Sequence, residues 1–177
     1  VAIARAFAGD PRIVVCDEPT SALDVSVQAA ILNLLADLQH GQQTSYVFIS
    51  HDIAVVRYLA DRIAVMYVGR IQELGSTDAM FNGPNHPYTE ALLSAVPSVD
   101  GSTRERIALS GEIPSPSNPP SGCVFHPRCP RAMPGTCDTA EPPVRDAGDG
   151  HLIRCHIPID ELAALQGVGV AAPTRKS

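Results

Sequence analysis

Ile13-Val14-Val15-Cys16-Asp17-Glu18-Pro19-Thr20-Ser21-Ala22-Leu23-Asp24 is the stretch whose reading decides the fold. Four apolar residues, three of them β-branched, predict a short buried strand, and the paired carboxylates and Pro19 end it in a turn. Ser26 is the expected N-cap of the next helix. There Val27, Ile31, Leu34, Leu35 and Leu38 keep helical spacing to about His40, and Gly41 closes the helix. Ser45-Tyr46-Val47-Phe48-Ile49 predicts a second buried strand, and residues 52 to about 60 a short helix. Residues 62–67 and 70–74 predict two strands joined by a tight hairpin turn at Val68-Gly69. Before the deciding stretch, Val1-Ala2-Ile3-Ala4-Arg5-Ala6-Phe7 has a helical composition. Strands alternating with helices predict an α/β fold, a parallel sheet with flanking helices.

The composition changes after about residue 82. Residues 88–96 predict a last helix behind Pro87, and from 97 to 143 the chain is crowded with Pro, Ser and Gly. Residues 113–120 cannot hold a regular helix or a central strand. A segment like this needs a staple, and four of the five cysteines lie within reach of it: Cys123, Cys129, Cys137 and Cys155. Their gaps of 5, 7 and 17 residues match neither a zinc ribbon nor a bacterial ferredoxin run. Metal ligation, buried thiols and disulfides all remain open on spacing alone. Arg128, Arg131 and Arg154 flank the thiols and are expected to lower their pKa values. His126, His151 and His156 are expected at the surface, or as replacement ligands if the metal is zinc. Cys16 is expected to be a small buried apolar residue. Residues 167–177 read as a flexible tail.

The charge of -6 over 177 residues argues against a nucleic-acid partner held through phosphate contacts. No apolar run reaches the roughly 18 residues that span a bilayer, and the amino end shows no signal-peptide pattern. Without a Met or a helix cap ahead of Val1, the expectation is a truncated chain.

The chemistry lies at the strand ends. Of two adjacent carboxylates there, one can reach a magnesium ion and the other a water, as in a Walker B strand. A bare match of this kind also fits a solvated acidic turn. Ile49-Ser50-His51-Asp52 ends the second strand, and carboxyl ends of parallel strands line the ligand crevice of such sheets. His51 and Glu18 are therefore expected to meet over one phosphate.

The run from Asp17 to Asp24, with Ile49-Ser50-His51-Asp52 behind it, resembles the ATP-binding subunit of ABC transporters, and residues 1–6 resemble the helix after that family's signature. The resemblance implies that Asp17 is the Walker B aspartate holding Mg-ATP and Glu18 the catalytic base. It implies that Ser21 and Asp24 belong to a D-loop at a dimer interface, and that His51 is the switch histidine. A Walker A loop requires a lysine, and the only one is Lys176. The signature segment is absent as well, so this chain alone is expected to bind ATP poorly.

Asn85-His86-Pro87-Tyr88-Thr89-Glu90-Ala91-Leu92-Leu93, the run from Leu109 to Glu112 and the Pro-rich approach to Cys123 are similar to the oligopeptide/dipeptide branch. The implied domains are the carboxy-terminal part of a P-loop ATPase over 1–82, a Pro/Cys-rich extension over 83–166 and the tail over 167–177. The branch implies an ATPase driving peptide uptake, and a [4Fe-4S] cluster at Cys123, Cys129, Cys137 and Cys155, with zinc as the alternative. The implied partners are a second ATPase subunit, membrane permease subunits and, indirectly, an extracytoplasmic peptide-binding protein. The implied location is the cytoplasmic face of the inner membrane. Two readings compete with this one: a non-catalytic metal-binding or assembly module, and an inactive gene fragment.

Overall fold

The computed structural model describes residues 2–42, 44–96 and 105–169. It is a mixed α/β structure whose compact units divide between Ala60 and Asp61. Most of the expected tail, residues 170–177 with Lys176, lies outside the described residues.

The first unit contains α1 (Ala2–Phe7), β1 (Ile13–Asp17), α2 (Val25–Gln42), β2 (Ser45–Ile49) and α3 (Ile53–Leu59). β1 and β2 run parallel, in register from Ile13 opposite Ser45 to Asp17 opposite Ile49. Val14 and Cys16 pack on one face with Phe7, Leu35 and Leu59. The Tyr46 hydroxyl donates to the Leu35 carbonyl at 2.9 Å and ties β2 to α2. The continuous apolar runs predict burial on both faces, but Ile13 and Val15 are 64% and 65% exposed. Helices cover only one face of this pair among the described residues, so the strands alternate between inside and outside. α2 starts two residues before the expected boundary. Its cap is Asp24, not Ser26: the Asp24 carboxylate accepts from the Val27 N–H at 2.9 Å, and Ser26 lies in the first turn. Asp52 caps α3 by accepting from the Ala54 N–H at 2.9 Å.

The second unit opens with β3 (Arg62–Tyr67) and β4 (Arg70–Ser76), an antiparallel hairpin. Val68 and Gly69, at φ 46° and 72°, both occupy the left-handed region that a two-residue turn of this hand requires. α4 (Thr77–Asn82) and α5 (Pro87–Ser94) follow. An irregular segment then leads to β5 (Val144–Asp146), β6 (Leu152–Arg154) and α6 (Ile159–Gln166). The four strands form one antiparallel sheet in the order β3-β4-β6-β5.

This sheet joins residues from both sides of the boundary expected near residue 82. Glu73 and Leu74 of β4 pair with Ile153 and Leu152 of β6, so residues 61–82 fold with the later chain. One apolar cluster gathers Tyr67, Cys123, Val124, Phe125 and Cys137, and another gathers Ala147, Ile153, Cys155, Ile157 and Leu162. Gly122 has φ 66° and lies so close to the chain that an added Cβ would meet the Cys137 carbonyl oxygen at 2.5 Å. That approach brings the Cys123 N–H to the same carbonyl at 2.8 Å.

Candidate functional site

Parallel pairing puts the carboxyl ends of β1 and β2 side by side, and each end carries a polar loop. The Glu18 N–H donates to the Ile49 carbonyl at 3.0 Å, extending the ladder one residue past β1. Glu18 then turns to φ 46°, out of the alternation of the strand. Its carbonyl accepts from the Ser21 N–H at 3.3 Å and the Ser21 hydroxyl at 3.0 Å, which fixes the bend. In the neighbouring loop the Asp52 N–H donates to the Ser50 hydroxyl oxygen at 3.0 Å.

These two loops bring His51 and Glu18 together across 33 residues of sequence. His51 Nδ1 lies 2.9 Å from Glu18 Oε1 and 3.0 Å from Oε2, so a protonated Nδ1 donates to both oxygens. The hydrogen bond to Glu18, and then the charge of Glu18, raise the His51 pKa above its ordinary value. With Nδ1 engaged, Nε2 is the nitrogen left to meet a ligand. A hollow of about 110 Å³ adjoins the pair, lined by residues including Glu18, Thr20, Ser21, Gln28, Ser50 and His51. That volume suits a water or one phosphate group, not a whole nucleotide.

The expected site residues divide. Glu18, His51 and Ser21 line the hollow; Asp17 and Asp24 do not. Asp17 is exposed at the tip of β1, in strand phase with Ile13 and Val15. Asp24 is occupied in capping α2. Thr20, Gln28 and Ser50 are additions that the sequence reading passed over; Gln28 Nε2 donates to the Thr20 hydroxyl oxygen at 3.4 Å. Their only sequence signal is closeness to Glu18 and His51.

The second site is the cysteine segment. All five cysteines are free thiols; Cys123, Cys137 and Cys155 are buried and Cys129 half-buried. Burial pushes the Cys129 thiol up to about 12 and Cys155 up to about 11, and raises Cys123. The expectation that Arg128, Arg131 and Arg154 bring these values down is therefore corrected; the one arginine charge that acts so is that of Arg70 on Cys123, and burial outweighs it. The arginines turn elsewhere: Arg131 to Glu90 at 2.6 Å, Arg128 to the Ser110 carbonyl at 3.4 Å and Arg154 to the Ile71 carbonyl at 3.2 Å. The surface placement of His151 is also corrected, since it is 2% exposed and bonded through Nε2 to Glu73 at 2.7 Å. His126 Nδ1 engages the Cys123 carbonyl at 2.9 Å, and His156 Nε2 the Ala140 carbonyl at 3.0 Å.

Among the described residues, no three His, Cys, Asp or Glu side chains are grouped so that they could hold a metal ion. Zinc, the alternative metal, needs such convergence, at about 2.3 Å from each sulfur. A [4Fe-4S] cubane does not, because each thiolate binds a different iron. Two features of the donor set fit the cubane. Cys123, Cys129 and Cys137 meet in one apolar cluster, and Cys155 lies in the next, which shares Met133 with the first. Backbone N–H groups also favour the thiolate forms: Phe125 and His126 at Cys123, Arg131 at Cys129, and Ile157 and His156 at Cys155. The Met133 N–H lies 3.4 Å from the Cys137 sulfur. Such N–H···S contacts are what a metal-bound thiolate uses to spread its charge.

The fold and the first site define a class: a mixed α/β protein with a carboxylate–imidazole pair at adjacent parallel strand tips. Residues 72–137 match the family described as oligopeptide/dipeptide transporter, C-terminal region. The chain is 54% identical over 156 residues to the dipeptide transport ATP-binding protein DppF of Escherichia coli, covering 88% of this chain and 46% of that protein. It is 49% identical over 160 residues to the oligopeptide transport ATP-binding protein AppF of Bacillus subtilis, covering 89% and 48%. Over most of its length the chain is similar to these peptide-transporter ATP-binding proteins, and it spans about half the length of the curated relatives it matches.

Proposed function

We propose that this chain supplies the hydrolysis half of the nucleotide site in an ATPase subunit of an ABC importer for di- and oligopeptides. The observation that carries the proposal is the contact of His51 Nδ1 with both Glu18 oxygens, formed at the tips of paired parallel strands. Glu18 accepts the proton of the attacking water, and His51, oriented by Glu18 and protonated on both nitrogens as its raised pKa favours, donates through Nε2 to a γ-phosphate oxygen. Asp17, exposed one residue earlier, holds the magnesium of Mg-ATP. Ser21 and Asp24 shape the loop that meets a second ATPase subunit. No helix among the described residues is long and apolar enough to cross a membrane. In this reading the subunit works with permease subunits at the cytoplasmic face of the inner membrane, and an extracytoplasmic peptide-binding protein delivers the peptide to them.

In this reading residues 1–82 belong to the P-loop ATPase domain and residues 83–166 to its Pro/Cys-rich extension. Cys123, Cys129, Cys137 and Cys155 hold a [4Fe-4S] cluster there. When bound, the cluster supplies a covalent staple and a one-electron redox couple.

The test is Glu18→Gln in the subunit that carries this segment. Nucleotide binding is expected to persist while turnover falls by about 10²–10⁴-fold, the usual contribution of a general base. Turnover near that of the unaltered subunit removes Glu18 from the role.

A further inference from the structure

Tyr67 ends β3 and is 4% exposed. Its ring stands edge-on to Phe125 at 5.1 Å and to Tyr88 at 4.9 Å. Those contacts explain a ring at this position, and phenylalanine would satisfy them equally. They do not explain the hydroxyl, which is buried without a hydrogen-bond partner. Buried hydroxyls are nearly always satisfied, so an orphan at this depth calls for a reason.

The surroundings supply one. Tyr67 belongs to the same buried cluster as Cys123 and Cys137, with Cys129 packed against its margin. Of the remaining members, Tyr88 carries a hydroxyl of its own that makes no hydrogen bond to Tyr67, and Val68, Leu109, Val124, Phe125 and Met133 offer hydrocarbon or a thioether. A protonated thiol is a weak acceptor, whereas a metal-bound thiolate or sulfide is a strong one.

We propose that Tyr67 is a positioning residue for the cluster, donating its hydroxyl proton to a thiolate or sulfide sulfur once iron and sulfide are bound. The inference rests on the [4Fe-4S] reading of the four cysteines. A donor to sulfur stabilises the more negative, reduced state and so raises the reduction potential.

The test compares the unaltered chain with Tyr67→Phe and Tyr88→Phe, each reconstituted anaerobically with ferrous iron and sulfide. Iron and acid-labile sulfide content, the midpoint potential and the melting temperature before reconstitution are read for all three. All three are expected to bind equal iron and sulfide. Tyr67→Phe alone is expected to lower the midpoint potential, and its unloaded form should melt no lower than the unaltered chain. Equal potentials in loaded Tyr67→Phe and the unaltered chain overturn the inference and leave the cluster intact. Loss of iron in Tyr67→Phe alone overturns it too, by making the hydroxyl a requirement for assembly. Failure of all three to take up iron and sulfide removes the cluster itself, and the inference with it.

Discussion

Glu18 occupies the left-handed region at φ 46°, a conformation that costs a non-glycine residue roughly 1–2 kcal/mol. In return the carboxylate leaves the strand alternation and meets His51. That contact makes a definite acid–base prediction. The hydrogen bond that His51 donates to Glu18 raises the His51 pKa, so Glu18→Gln is expected to lower the imidazole titration midpoint toward the ordinary value near 6.5. Because the folded value is the higher one, the contact contributes fully below the ordinary histidine pKa and fades as pH rises through the folded pKa. His51 is 77% exposed, so added salt should shrink the shift. Histidine NMR titration at low and high salt checks this, and an unchanged midpoint in Glu18→Gln would remove the pairing. The sequence revealed this pair because both residues sit at the ends of recognisable apolar strands. It did not reveal the cap of α2, because Asp24 and Ser26 are both good capping residues two positions apart and only geometry chooses between them.

At the scale of elements, β4 carries the least legible feature, the fully buried Glu73. Its Oε1 accepts from His151 Nε2 at 2.7 Å and Asn85 Nδ2 at 3.0 Å, and its Oε2 from the His86 N–H at 2.8 Å. Three segments thus converge on one carboxylate: β4, the loop before α5, and the turn between β5 and β6. Gly75 permits the approach, since a Cβ there would meet His151 Cδ2 at 2.8 Å. Nothing local foretells a partner 78 residues away, and β5 and β6, three residues each, are too short to show a strand period. Removing one member of a buried, bonded charge group strands its partners, a loss of roughly 3–5 kcal/mol. Glu73→Ala is therefore expected to destabilise the chain by about that amount in urea denaturation. Glu141→Ala, which removes the more exposed partner of Arg70, should cost about 1 kcal/mol or less. Comparable losses from the two substitutions would show that the Glu73 network contributes no more than a surface pair.

At the scale of the whole molecule, the parallel pair and its helices were legible because apolar runs of four residues between polar turns signal strands directly. The second sheet was legible only as its hairpin, since the fold of residues 105–158 is set by tertiary packing around cysteines, prolines and turns, not by periodicity. That packing leaves an acid-sensitive residue inside. His86 is 1% exposed and caps α5 by accepting the Tyr88 N–H at Nδ1, 3.1 Å away, which requires that nitrogen to be unprotonated. Burial lowers its pKa to about 3. The unfolded chain takes up this proton near pH 6.5 and the folded chain does not until about pH 3, so the contribution of His86 is complete above the upper value. It is lost as the medium acidifies between the two, at about 1.4 kcal/mol per pH unit. His86→Asn retains a side chain that can cap a helix but cannot titrate. It is expected to be less stable than the unaltered chain at pH 7, because it loses the packing of the imidazole on Phe125 at 5.5 Å. Its stability should then fall more shallowly from pH 6 to pH 4, by about one proton's worth of slope. Denaturation midpoints across that range check the prediction, and parallel acid limbs for the two proteins would mean that His86 already binds its proton in the fold.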